Sequence, residues 1–97
     1  MEIEEIFSSK LRMKILKLIY DLGSLNVSEI ARRLNSNFAS ISEHLKILEV
    51  EGIFQEHTYG RVRMYRFKEG SQKAKAVQYL IETWKQNEET PNRPRTK

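Results

Sequence analysis

Ninety-seven residues fill one domain and leave no room for two, since domains run about 50–250 residues. With 39% apolar and 31% charged residues, the core is small and the surface heavily charged, a balance in which a partner subunit often covers residual apolar area. The lack of cysteine excludes disulfides, thiolate metal sites and cysteine nucleophiles. It also favours an intracellular protein, because secreted domains of this size are usually disulfide-stapled.

Leu11, Ile15, Leu18, Ile19 and Leu22 recur at steps of three and four, one face of a helix. Lys10, Lys14 and Lys17 take the opposite face, Ser8 or Ser9 is placed to cap the start, and Gly23 to end it. Upstream, Ile3, Ile6 and Phe7 form either an extra turn or a separate short helix. Asn26 and Glu29 have the spacing of a capping box, opening a helix whose buried stripe is Val27, Ile30, Ala31 and Leu34. Asn35-Ser36-Asn37 interrupts the pattern with turn-forming residues. Asn37 caps a third helix running to about Glu51, with Ile41, Leu45 and Leu48 inward and His44 partly buried as a structural residue. Two short helices joined by about three residues have the spacing of a helix-turn-helix.

After Gly52 the period changes. Residues 53–59 and 61–67 are rich in β-branched and aromatic side chains around Tyr59-Gly60, which predicts a β-hairpin with Arg61 and Arg63 near its tip. Tyr65 and Phe67 share the face turned to the helices, and Val62, Met64 and Arg66 the other. A last helix over about 71–87 carries Ala74, Val77, Leu80, Ile81 and Trp84 at helical spacing. Residues 88–97 hold both prolines and no apolar side chain, which predicts a disordered basic tail. Residues 1–59 have 7 Lys/Arg against 9 Asp/Glu, and residues 60–97 have 10 against 4, so an anionic partner would be met by the C-terminal half. No apolar run reaches the roughly 18 residues that cross a bilayer, and the start Met-Glu-Ile-Glu-Glu is acidic, unlike a signal peptide; no membrane association is expected.

The chain resembles the ArsR-like regulators, and more loosely the MarR-like ones, across roughly residues 8–68. The resemblance is carried by LRMKILKLI at 11–19, VSEIARRL at 27–34, SISEHLKIL at 40–48, EGI at 51–53 and GRVRMYRF at 60–67. It implies a mainly α protein with a two-stranded β-wing, a winged helix-turn-helix spanning residues 1–87 that dimerises through its terminal helices. It also implies that the third helix lies in the DNA major groove with its N-terminal residues facing base edges. Asn37, Phe38, Ser40, Ser42, Glu43 and Lys46 lie off the apolar stripe near that end. Asn37 and Ser40 either contact bases or only cap the helix, and Phe38 either touches a thymine methyl or packs on the turn. Glu43 departs from the family pattern: it either accepts from cytosine N4 or weakens binding.

Arg61 and Arg63 on the wing reach the minor groove or its phosphates, or else pair across the hairpin with Glu56. Arg32 and Arg33 sit where a backbone phosphate would pass. Leu11, Val77, Leu80, Ile81 and Trp84 form either a homodimer seam, as in relatives, or packing within their own domain.

The Cys-Val-Cys with which many relatives hold metal is Asn26-Val27-Ser28 here, and residues 71–87 contain no His or Asp for the alternative site. No metal effector and no cofactor are expected. No phosphate-binding loop, nucleophile motif or carboxylate pair marks an enzyme. The expected function is therefore a homodimeric, sequence-specific double-stranded-DNA-binding repressor. The rivals are a winged-helix module that docks on a protein of the transcription or replication machinery, and a nonspecific DNA-coating protein.

Overall fold

The computed structural model describes residues 1–88. Its elements follow the order α1 (Ile3–Ile6), α2 (Lys10–Leu22), β1 (Leu25–Asn26), α3 (Val27–Leu34), α4 (Phe38–Val50), β2 (Phe54–Tyr59), β3 (Val62–Phe67) and α5 (Gln72–Glu88). Glu88, expected in the tail, closes α5, and the rest of the expected disordered tail lies outside the described residues.

Each helix begins where a side-chain oxygen satisfies an orphan N–H. Ser9 Oγ accepts from Arg12 N–H, Asn26 Oδ1 from Glu29 N–H, Asn37 Oδ1 from Ser40 N–H and Ser71 Oγ from Ala74 N–H. The capping box expected at α3 is only half formed, because the Glu29 carboxylate runs along the helix to Arg32 and Arg33 instead of back to Asn26. Its reciprocal form appears at α1, between Glu2 and Glu5.

The sheet has three strands, not two, in the order β1-β3-β2. Leu25 and Asn26 pair antiparallel with Tyr65 and Met64, so the wing is hydrogen-bonded to the residues that open α3. Phe54 and Phe67 lie opposite each other in the β2-β3 register and meet edge to face at 5.0 Å.

The core joins Ile15, Leu16 and Ile19 of α2 with Ile30 of α3, Ile41, Leu45 and Leu48 of α4, and Phe54 of β2. Burial of each such side chain stabilises the fold by about 1.5–3 kcal/mol. The buried face of α2 is rotated from the one expected: Arg12 and Leu16 are inside, Leu11 and Leu18 are half-buried, and Leu22 is exposed. Both α3 and β3 pack on α2, so it buries the arc between them and not the leucine stripe alone. Tyr65 is buried as expected, with Phe67 packed against the core at its margin.

Candidate nucleic-acid interface

The turn between α3 and α4 is fixed by its backbone. Asn35 takes the left-handed conformation at φ 53°, which asparagine tolerates better than most residues, and Ser36 N–H donates to the Ala31 carbonyl at 2.9 Å. The Ser36 hydroxyl donates to the Leu34 carbonyl, so its polarity is used inside the turn. Asn37 is then extended (φ −83°, ψ 158°) and caps α4, its Oδ1 held 2.8 Å from Ser40 N. With Ile41, Leu45 and Leu48 inward, Phe38, Ala39, Glu43 and Lys46 stand in solvent, and Ser40 and Ser42 are half-buried.

The β2-β3 hairpin turns through Gly60 at φ 60° and carries Arg61 and Arg63 outward. Arg63 Nε lies 3.1 Å from Glu56 Oε2, whereas Arg61 has no ion-pair partner among the described residues. A cleft of about 260 Å³ opens between the start of α3 (Asn26 to Ser28), Phe38 of α4 and the wing residues Arg61 to Arg63. The fold thus brings Phe38 and the two wing arginines to one concavity, with the other exposed α4 residues continuing along the same helix. Lys46 stands eight residues on, about 12 Å along the axis at 1.5 Å per residue.

Arg32 and Arg33 are exposed but engaged: both guanidinium groups reach Glu29 Oε2, Arg33 at 2.8 Å. Hydrogen bonding from Arg32 holds the Glu29 carboxyl below the usual carboxylate range, with Arg33 adding to it. The trio carries a net single positive charge at neutral pH, less than two arginines suggest in sequence.

On another face, the expected seam residues divide. Val77 and Ile81 are 6% and 4% exposed and packed in their own domain, whereas Leu80 and Trp84 are 43% and 63% exposed. Leu11 packs against the edge of the core. Leu80 borders two apolar hollows, of about 250 Å³ against α1 and about 370 Å³ against α2 and Trp84. Met1, Ile3 and Tyr79 are exposed as well.

One buried residue escaped sequence reasoning altogether. Arg12, 7% exposed, donates from Nε to His44 Nδ1 at 3.2 Å and from Nη1 to the Glu5 carbonyl at 2.7 Å. Nothing in a Lys/Arg-rich helix distinguishes this arginine from its solvated neighbours.

Asn26-Val27-Ser28 does not fit a thiophilic metal: it offers no thiolate, and Asn26 Oδ1 is already the α3 cap. Among the described residues no group of three or more His, Cys, Asp or Glu side chains is placed to hold a metal ion. Nor is any described helix long and apolar enough to cross a membrane.

Two stacked helices, an outward third helix and a strand-paired wing define a winged helix-turn-helix protein. Residues 9–55 match the family model described as "Bacterial regulatory protein, arsR family", and over that stretch the chain is similar to this family. That description is of regulatory proteins, not enzymes. No curated protein matches the sequence. Among solved structures, HlyU from Vibrio cholerae superposes with TM-score 0.70 at 24% identity, over 82% of this chain and 84% of that one. The transcriptional repressor PagR of Bacillus anthracis gives 0.69 at 20% identity, over 82% and 85%. The antimony-specific transcriptional repressor AntR gives 0.73 at 19% identity, over 92% and 77%.

Proposed function

We propose that the protein is a homodimeric, sequence-specific binder of double-stranded DNA that represses transcription inside the cell by occupying a promoter, without a metal effector. The observation that carries this reading is the outward start of α4, with Asn37, Phe38 and Glu43 exposed and Ser40 and Ser42 half-exposed, whose Phe38 shares one cleft with the cationic wing. An α-helix fits the major groove and presents its first turns to base edges, while a basic ribbon beside it meets phosphates or the minor groove.

The roles divide by chemistry. Ser42 and the Asn37 amide face base edges, Phe38 offers an apolar surface to a thymine methyl, and Glu43 accepts from cytosine N4. Lys46, Arg61 and Arg63 contribute charge, with Arg32 or Arg33 on a flanking phosphate. Pairing through Leu80 and Trp84, with Leu11, Val77 and Ile81 beneath them, would set two reading helices about 34 Å apart on one face of DNA.

The test is selection from a random-sequence duplex pool at moderate salt. Enrichment of a two-fold symmetric site is the expected result. Binding without enrichment would make the protein a nonspecific coat. No shift even at low salt would favour a protein-docking module, for which exposed Phe38 and Glu43 are the specific observation.

A further inference from the structure

Arg12 is the only charged residue buried among the described residues, and it is shared by three helices. From α2 its Nη1 donates to the Glu5 and Ile6 carbonyls of α1, at 2.7 and 3.3 Å, and its Nε donates to His44 Nδ1 of α4 at 3.2 Å. The carbonyls of α1 lie at the C-terminal end of a four-residue helix, which cannot hold itself together in isolation. We propose that Arg12 and His44 form a proton-sensitive latch that positions the reading helix against α1, so that protonating His44 loosens α1 and weakens duplex binding. The proposal rests on α4 being the reading helix.

The chemistry has one direction. A guanidinium stays charged at every pH a folded domain meets, so the pair responds only through the imidazole. In the observed contact Nδ1 accepts, which places the ring proton of neutral His44 on Nε2. Imidazolium is a donor at both nitrogens and a second cation, so ring and guanidinium must part, and a guanidinium pushed off His44 draws its Nη1 away from the α1 carbonyls as well. The charged groups facing the ring are Arg12 of α2 and Glu43 beside it on α4. α1 brings carbonyls only, the Glu5 carboxylate being turned to Glu2 N–H. Burial first, and Arg12 second, hold the His44 pKa below the ordinary 6.5, against the opposite pull of Glu43. With the folded value below the unfolded one, the unfolded chain takes the proton more readily. The stabilisation is therefore complete above about pH 6.5 and is lost as pH falls below it.

The sign separates this from simple electrostatics. A histidine that merely gained charge near phosphates would tighten binding on acidification. The experiment compares the full chain with His44→Gln, whose amide oxygen can accept from Arg12 Nε and does not titrate. Two quantities are read at about pH 8 and about pH 5.5, the range histidine spans: affinity for the duplex most enriched from a random pool, and hydrogen-exchange protection factors of the α1 amides. Wild type should lose about fivefold in affinity at the lower pH, the low end of ordinary coupling between sites, together with α1 protection; His44→Gln should change in neither. Unchanged or tighter wild-type binding at low pH, or the same slope in His44→Gln, overturns the latch. Should that variant not fold, Arg12→Met serves instead: its His44 ring, followed by NMR, must titrate at higher pH than in wild type, and an unmoved midpoint overturns the proposal. A chain that binds no duplex at pH 8 fails as a DNA reader, and the α1 protection factors then judge the latch by themselves.

Discussion

Asn37 shows why a single residue can satisfy two readings of its sequence. Its Oδ1 is committed to Ser40 N–H, yet its amide N–H₂ is not part of that bond. Asn37→Ala should cost about 1 kcal/mol through the lost cap. Asn37→Asp keeps the acceptor and adds a charge that the helix N-terminus favours, so its melting temperature should stay near wild type. Duplex affinity should nevertheless fall in both, because neither offers the amide donors. Thermal melting and anisotropy on the same samples separate the roles, and an Asp variant of unchanged affinity would leave Asn37 a cap only. At the wing, Arg63 is partly neutralised by Glu56 and Arg61 is not. Glu56→Gln should tighten binding to all duplexes alike and steepen the dependence on salt by up to about one unit of log–log slope. An unaltered slope would show that Arg63 contacts no phosphate. The cross-strand pair was legible as an alternative because opposite charges stood on adjoining strands; which arginine would take Glu56 depended on register and was not.

At the scale of elements, helix starts and periodicities were legible because caps and apolar spacing act within one turn. The stripe of α4 is legible from Ile41, Leu45 and Leu48, whereas that of α2 keeps Ile15 and Ile19 but turns to bury Arg12 and Leu16 in place of Leu11, Leu18 and Leu22. The displacement has a tertiary cause, since α3 and β3 together define the arc that α2 buries. β1 is not legible at all: two residues have no period, and Leu25 meets Tyr65 from forty positions away in the chain. Buried Arg12 is invisible for a similar reason, as its partners come from α1 and α4. The two faces of α4 should separate cleanly under mutation. Leu45→Ala, at a fully buried position, should cost about 2–5 kcal/mol in denaturant unfolding. Lys46→Ala, one residue on and exposed, should stay within about 0.5 kcal/mol of wild type while lowering duplex affinity at low salt.

For the whole molecule, the informative contrast lies along α5. One turn-spaced set, Ala74, Val77 and Ile81, completes the core, and its neighbours Leu80 and Trp84 remain in solvent beside apolar hollows on α1 and α2. Sequence spacing put all of these in one stripe, because a periodic pattern cannot say where a domain's own core stops and a second surface begins. A small domain that leaves Trp84 63% exposed keeps apolar area available for a symmetric partner. Trp84→Ala should therefore shift sedimentation toward monomer at micromolar concentration while leaving the monomer's unfolding free energy within about 0.5 kcal/mol, as for other surface changes. Ile81→Ala should do the reverse in order of cause: its side chain is 4% exposed, so the fold weakens first, by about 2–5 kcal/mol, and any loss of dimer follows from that. A Trp84→Ala protein that sediments as a dimer down to nanomolar concentration would move the seam away from α5. On the proposed function, operator binding should track the dimer, because a single proposed reading helix and wing would engage only one half-site; an alanine variant that is monomeric yet binds the full site with wild-type affinity would break the link between assembly and reading.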